Sequence, residues 1–273
     1  LLRASGQLQV GLFAALAIGP VLAGVLITNV GVSPAFLSDA ATYAIAALLL
    51  LGMAPMFVAT RRKPAQLSSL WNEARAGFRA LRADRLMIRA LALAVACNLL
   101  AVTVEGQLVP YARRNLGVGP VGIGLYTALA AVAALVTTGA ASRSKAVSGT
   151  TMLAATIPAV GSVLLAGVWP TLGTAALAMI SVGACSGTLN AHFRAARQRR
   201  FALDLQGRVA MSARFALYAP QVVALTAGGA LADRFGSPTL FVILAALAGV
   251  LIAIAAQGGV GQLREEMASP AAH

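Results

Sequence analysis

The composition of this 273-residue chain excludes an ordinary soluble domain, because 59% of its residues are hydrophobic and only 11% are charged. Soluble domains carry about 25% charged residues, and a soluble fold of this length cannot cover so much apolar surface. The formal net charge of +13 could indicate nucleic-acid binding, but the basic residues lie between apolar segments and leave no basic folded domain. Lipid is therefore the expected surrounding, and nucleic acid is not an expected partner.

Eight apolar segments are long enough to cross a membrane, for which a helix needs about 20 residues. Backbone groups in lipid must be hydrogen-bonded within their own segment, which favours α-helices. The sequence therefore predicts an all-α integral membrane protein with eight transmembrane helices, at about 8–30, 35–59, 88–110, 118–141, 150–168, 172–193, 209–231 and 239–257.

The polar interval 60–87 separates the first two predicted spans from the six that follow. Its apolar residues recur at steps of three and four with arginines beside them, which predicts an amphipathic helix along the cytoplasmic interface. The interval is either a linker between two membrane bundles or a basic loop bound to anionic headgroups, and both interpretations can hold. The predicted divisions are the end of a first bundle at 1–59, the linker at 60–87, a six-helix bundle at 88–257 and a cytoplasmic tail at 258–273.

The distribution of basic residues predicts the orientation of the spans. If the segments cross in alternation, most arginines and both lysines fall on one side, and the other side holds only Arg113, Arg114 and Arg234. Lysine and arginine are enriched in cytoplasmic loops of membrane proteins. Both termini are therefore expected in the cytoplasm.

A short repeat links the two ends of the chain. Residues 24–36, GVLITNVGVSPAF, are similar to residues 229–241, GALADRFGSPTLF, at an offset of 205 positions. Internal repeats of this scale are typical of transporter folds. If each copy ends one half of the protein, the first half has only two spans, and four more are expected to precede Leu1.

Four stretches carry a resemblance to a known family. Residues 15–24, ALAIGPVLAG, resemble an antiporter motif, and residues 70–90, LWNEARAGFRALRADRLMIRA, resemble a central linker. Residues 139–145, GAASRSK, and 198–214, QRRFALDLQGRVAMSAR, resemble two basic loops between spans. Together they resemble the major facilitator superfamily, and within it the bacterial enterobactin and drug exporter group.

The resemblance implies a partial major-facilitator fold that matches the fifth to twelfth spans of the family. It implies a permease of the bacterial inner membrane that moves small amphiphilic molecules by alternating access, with proton-coupled efflux. The expected partners are membrane lipid, a small-molecule substrate and protons as the coupling ion, and a monomer without a cofactor is expected.

The resemblance also assigns conformational roles in the first span to Gly19, Pro20 and Gly24. Proline kinks a helix and glycine lets another helix approach closely, and the kink is thought to influence exchange between inward and outward states in this family. The alternative is a kink that serves only packing.

Further motif residues are Gly139 and Arg143, which fall in a degraded copy of a charged family signature, with Ser142 in the position of its acidic residue. Arg208 and Arg214 belong to the basic run between the last spans. Arg214 is expected to reach toward the headgroups, and a salt bridge that gates the cytoplasmic side is the alternative.

Glu105 is the strongest polar signal within a predicted span. Asn98 precedes it by seven positions, so both lie on one helix face. A membrane carboxylate is costly and usually faces a cavity, which makes Glu105 a hypothetical proton- or substrate-binding group. The alternative is a wetted residue at the outer interface close to Arg113. The family resemblance adds candidates for substrate hydrogen bonds at Asn190, Tyr218 and Gln221.

Two other function classes stay open. One is a truncated, nonfunctional or regulatory membrane fragment of such a transporter. The other is an intramembrane enzyme, which would need acidic or histidine residues converging at one depth, whereas the eight acidic residues are scattered. No nucleotide-binding glycine loop or metal-ligand spacing is present, so no enzyme, cofactor or metal is predicted, and Cys97 and Cys185 are expected to serve packing.

Overall fold

The fold is all-helical over the residues that the structure, a computed structural model, describes, which are 2–53, 67–143 and 148–257. Nine helices follow one another along these ranges, with bounds α1 Leu2–Val30, α2 Val32–Met53, α3 Leu67–Ala83, α4 Arg85–Leu116, α5 Pro120–Arg143, α6 Gly149–Val168, α7 Leu172–Arg200, α8 Leu203–Phe235 and α9 Ser237–Gln257. The predicted tail 258–273 lies outside the described residues.

The predicted membrane architecture is confirmed. Seven helices, α2 and α4 to α9, are long and apolar enough to span a bilayer, and Ala15–Val30 of α1 is a shorter apolar helix. The amphipathic helix predicted within 60–87 is present as α3.

Two helix ends differ from the prediction. The helix α7 continues to Arg200 and α8 begins at Leu203, so the basic run that was expected to be a loop is almost entirely helical. Basic side chains in a last helical turn are favoured by the helix dipole, and Gln206 donates hydrogen bonds to the carbonyl groups of Gln198 (3.0 Å) and Phe201 (3.1 Å) across the short turn.

The repeated segments make the same turn. Gly31 and Gly236, which are aligned by the 205-residue offset, both have a positive φ, of 93° and 84°. Each donates its amide to the carbonyl group four residues earlier, and each is followed at once by the next helix. Because only glycine adopts this backbone at low cost, the repeated sequence is explained by the same turn, which joins α1 to α2 and α8 to α9.

The helices α4 and α7 form the centre of the packing. On α4, Tyr111 donates a hydrogen bond of 2.7 Å to the carbonyl of Ala166 and packs on the Phe241 ring, with centroids 4.8 Å apart. Close contact between α7 and α5 depends on Gly183 and Gly187, where an added Cβ would overlap the backbone of α5. Both glycines thus serve close helix packing. The helix α2, by contrast, packs against α1 and is otherwise largely exposed.

Candidate functional site

The antiporter-like motif of α1 lies against α5 at a crossing where backbones touch. A Cβ built on Gly24 would be 2.6 Å from the carbonyl oxygen of Pro120, and a Cβ on Gly124 would overlap the carbonyl oxygen of Pro20. The two contacts are reciprocal, so neither glycine has room for a side chain. We call these four residues the glycine crossing. Gly19 has open space on its Cβ side, so it does not contribute to this contact.

The α5 half of the glycine crossing is missed by sequence reasoning, although a signal is present. Residues 20–24 read PVLAG and residues 120–124 read PVGIG. The shared pattern is Pro-Val followed by glycine at the fifth position. A search for this repeated pattern would have paired the two segments before the structure was known.

A cavity of about 340 Å³ adjoins the glycine crossing, between α1, α4 and α5. Its lining is mainly apolar and includes Ile27, Val109 and Ile123, and Arg113 is the one charged group that the described residues place on its wall. Such a mixture of apolar wall and sparse charge suits an amphiphilic molecule.

Glu105 lies one helical turn before Val109 on α4, on the same helix face. Its side chain is exposed, and no ion pair or hydrogen bond to it is recorded among the described residues. Arg113, near which the alternative interpretation placed this carboxylate, is eight residues further along the helix, a rise of about 12 Å, and no ion pair between the two is recorded among the described residues.

Two of the predicted polar candidates, Asn98 and Asn190, line the same small cavity. With Cys97 and Ser186 they line a small cavity of about 20 Å³ between α4, α7 and α8, a volume large enough for about one water molecule. The Asn98 amide already donates a hydrogen bond of 3.0 Å to the carbonyl of Leu217. It therefore fastens α4 to α8 as well as facing this cavity.

The other polar candidates lie elsewhere. Tyr218 is 60% exposed on the outer side of α8, and Gln221 is half-buried one turn along. Neither lines the small cavity beside Asn98. The predicted polar candidates therefore lie on two different surfaces of the bundle, and of these four residues only Asn98 and Asn190 line the same cavity.

The basic motif residues lie near helix ends. Arg143 is the exposed last residue of α5, and Gly139, one turn earlier, has open space at its Cβ side. The carbonyl of Arg208 accepts a hydrogen bond of 3.0 Å from Ser212. Arg214 is exposed, and no acidic partner for it is recorded among the described residues.

Asp84 is a structural residue whose partners were not predicted. Its carboxylate accepts hydrogen bonds from the amides of Leu86 (3.0 Å) and Met87 (3.1 Å), which caps α4. The same carboxylate pairs with Arg200 at the end of α7. An aspartate directly before a long helix is a recognisable N-cap signal, but its arginine partner, 116 residues away, is visible only in the fold.

Residues that could bind metal do not converge in the part of the chain that the structure describes, where no group of three histidine, cysteine or acidic side chains is found. Cys97 and Cys185 are both free and buried.

Comparison with known proteins agrees with this geometry. A search of curated proteins finds no match to the chain. A sequence model of the Major Facilitator Superfamily matches residues 1–224, which include the glycine crossing, the α3 helix and the cavities described above. Since this match covers most of the chain and most of its spanning helices, the chain belongs to the Major Facilitator Superfamily of membrane transporters.

Proposed function

We propose that the protein is a secondary active transporter that exports small amphiphilic molecules in exchange for protons, by alternating access. The observation that carries this proposal is Glu105, an exposed carboxylate on a spanning helix for which the described residues supply no cationic partner. A charged group within a bilayer is costly and commonly serves an ion or substrate pathway.

The exchange follows from competition at one carboxylate. Glu105 can hold a proton or lie against the polar part of a substrate, and each occupant disfavours the other through the reciprocity of linked binding. In this proposal the cavity lined by Val109, one helical turn beyond Glu105, supplies the apolar surface for the rest of the molecule. Asn98 and Asn190 offer amide groups at the small cavity between α4, α7 and α8.

Alternating access requires one part of the bundle to move against another around the binding site. The glycine crossing supports this step, because smooth backbone surfaces of α1 and α5 meet there without interlocking side chains. In this proposal α1 and α2 move with one bundle, α4 to α9 form the other, and α3 is the linker between them.

The proposed setting is a bacterial inner membrane, with a monomer and both termini in the cytoplasm. The pair of Asp84 and Arg200 places the start of α4 beside the end of α7. Both of these ends, and α3, are rich in arginine, whereas Arg113, Arg114 and Arg234 lie at opposite helix ends. This asymmetry supports a cytoplasmic location for the first group.

Efflux from cells that express the protein tests the proposal. Cells are loaded with fluorescent amphiphiles of positive, neutral and negative charge, and dye release is followed with and without a proton gradient. The wild type should release at least one class faster when the gradient is present. Glu105→Gln, which mimics a permanently protonated group, should lose this dependence, while Asp233→Asn, at an exposed acid near the end of α8, should retain it.

Two outcomes would contradict the proposal. Gradient-dependent efflux that is unchanged in Glu105→Gln would remove this carboxylate from the coupling step. Absence of gradient-dependent release for every dye class, with the protein present in the membrane, would favour the alternative of a nontransporting or regulatory membrane protein.

A further inference from the structure

A second cavity, of about 580 Å³, lies between α3 and the N-terminal part of α8, apart from the residues assigned to transport. Its walls are apolar and its rim carries three arginines. The volume is typical of pockets that bind ligands, about 300–1,000 Å³. We call this cavity the arginine groove, and its main lining residues are Arg75, Arg79, Arg82, Phe78, Met211 and Phe215.

The groove is built by close docking of α3 on α8. A Cβ added to Gly77 would lie 2.5 Å from the carbonyl oxygen of Arg208, so the α3 backbone rests directly on α8. The rings of Phe78 and Phe215 meet edge to face, with centroids 6.4 Å apart, and Leu81 is completely buried. These contacts fix the position of the helix that carries the arginines.

The three arginines form a single charged stripe. They are spaced by four and three residues, which places them along one side of α3. All three are exposed, and no ion pair to any of them is recorded among the described residues. They therefore present a positive charge that the described part of the chain does not neutralise.

The opposite wall of the groove is apolar and uncovered. Met211 and Phe215 of α8 are 64% and 66% exposed. A soluble anion would pair with the arginines but leave the side chains of Met211 and Phe215 uncovered. A neutral lipid would cover those two side chains but leave the arginines unpaired. A single ligand that both pairs with the arginines and covers the apolar wall carries a phosphate and an acyl chain.

We propose that the arginine groove binds one anionic phospholipid, with its phosphate among Arg75, Arg79 and Arg82 and one acyl chain along Phe78, Met211 and Phe215. Guanidinium groups match phosphate oxygens with paired hydrogen bonds. The location also fits, because α3 is amphipathic and docks beside the beginning of a spanning helix, where lipid headgroups are present at high local concentration. The site is independent of the transport proposal.

Native mass spectrometry of the full chain, purified in a neutral detergent, tests this site. The protein is titrated separately with phosphatidylglycerol, phosphatidylcholine and glycerol 3-phosphate. Phosphatidylglycerol should bind most tightly, since it alone supplies both the anion and the chain. Each basic residue near a lipid surface strengthens binding about fivefold, so changing Arg75, Arg79 and Arg82 together to glutamine should weaken binding of this lipid by roughly one hundredfold.

Matched variants separate the site from general charge. Changing Arg114, Arg143 and Arg234 to glutamine removes the same charge from exposed positions elsewhere and should leave the tightest phosphatidylglycerol site intact. Replacing the three groove arginines by lysine should retain most of the binding if the glutamine variant fails by loss of charge. Thermal unfolding of each variant shows whether the fold is kept.

Three results would overturn the proposal. Equal weakening by both glutamine variants would indicate nonspecific attraction. Binding of glycerol 3-phosphate as tightly as the lipid would indicate a soluble-anion site. A dimer mass that is abolished by Phe215→Ala, with no lipid retained by the monomer, would assign the groove to a second copy of the chain.

Discussion

Replacing Gly24 by alanine should destabilise the packing of α1 on α5. The new methyl group would lie 2.6 Å from the carbonyl oxygen of Pro120, whereas ordinary contacts of this kind begin at 3.4 Å, so the helices must separate by about 0.8 Å at this point. The obstructing atom belongs to the backbone and cannot rotate away. Overpacking of this kind costs about 1–3 kcal/mol.

Gly19→Ala is the matched control, because it adds the same methyl group to the same helix at a position with open space. The gain in helix preference from glycine to alanine, about 0.5–1 kcal/mol, applies to both variants and cancels in their comparison. We therefore expect Gly24→Ala to be about 1–3 kcal/mol less stable than Gly19→Ala. Reversible unfolding in mixed detergent micelles measures this difference in free energy.

The reciprocal glycine provides a second check. Gly124→Ala should be destabilising for the same reason, since its methyl group would overlap the carbonyl of Pro20. Once either variant has separated the helices, the second methyl group should cost less, so the double variant should be less destabilised than the sum of the single variants. Equal stability of Gly24→Ala and Gly19→Ala would refute the crossing as described.

Two further variants test the polar fastenings of α4. Asp84→Ala removes the helix cap and the pair with Arg200, and we expect its free energy of unfolding to fall by about 0.5–2 kcal/mol. Asp233→Ala, at an exposed position, is the control and should be unchanged. Equal losses in the two variants would contradict the capping role. Asn98→Leu removes the hydrogen bond to the Leu217 carbonyl, and we expect the free energy of unfolding to fall by about 0.6–1.7 kcal/mol. An unchanged free energy of unfolding would show that this hydrogen bond makes no net contribution to stability.

The spans could be predicted from the sequence because lipid imposes a requirement that is local to each segment. Every stretch of about 20 residues must be apolar and hydrogen-bonded internally, so composition alone locates it. The basic ends of α7 and α8 were missed for the opposite reason. Arginines there are typical of a loop, but the Gln206 amide bonds to carbonyl groups across the short turn, and Arg200 pairs with Asp84 at the start of α4.

The sequence predicts a candidate site residue only where its side chain is energetically costly to place in lipid. Glu105 is conspicuous in a membrane span on chemical grounds alone. The pairing of Asn98 with Asn190 depends on the packing of α4 against α7, and the role of Gly124 depends on its contact with Pro20. Such contacts join positions about a hundred residues apart, and the internal pattern of a single segment contains no information about them.

Among the described residues, the helix α5 is hydrogen-bonded by side chains to its neighbour on one side but not at the glycine crossing on the other. Toward α7, Thr137 and Thr138 donate hydrogen bonds of 3.1 and 3.3 Å to carbonyl groups of that helix. At the glycine crossing, by contrast, the hydroxyls of Thr28 and Thr127 donate within their own helices, and the contact there is between bare backbones. Sliding at the α1 side breaks none of these hydrogen bonds, whereas sliding at the α7 side breaks two. If alternating access moves one bundle against the other, α5 should therefore travel with α7, and the plane of movement should pass through the glycine crossing.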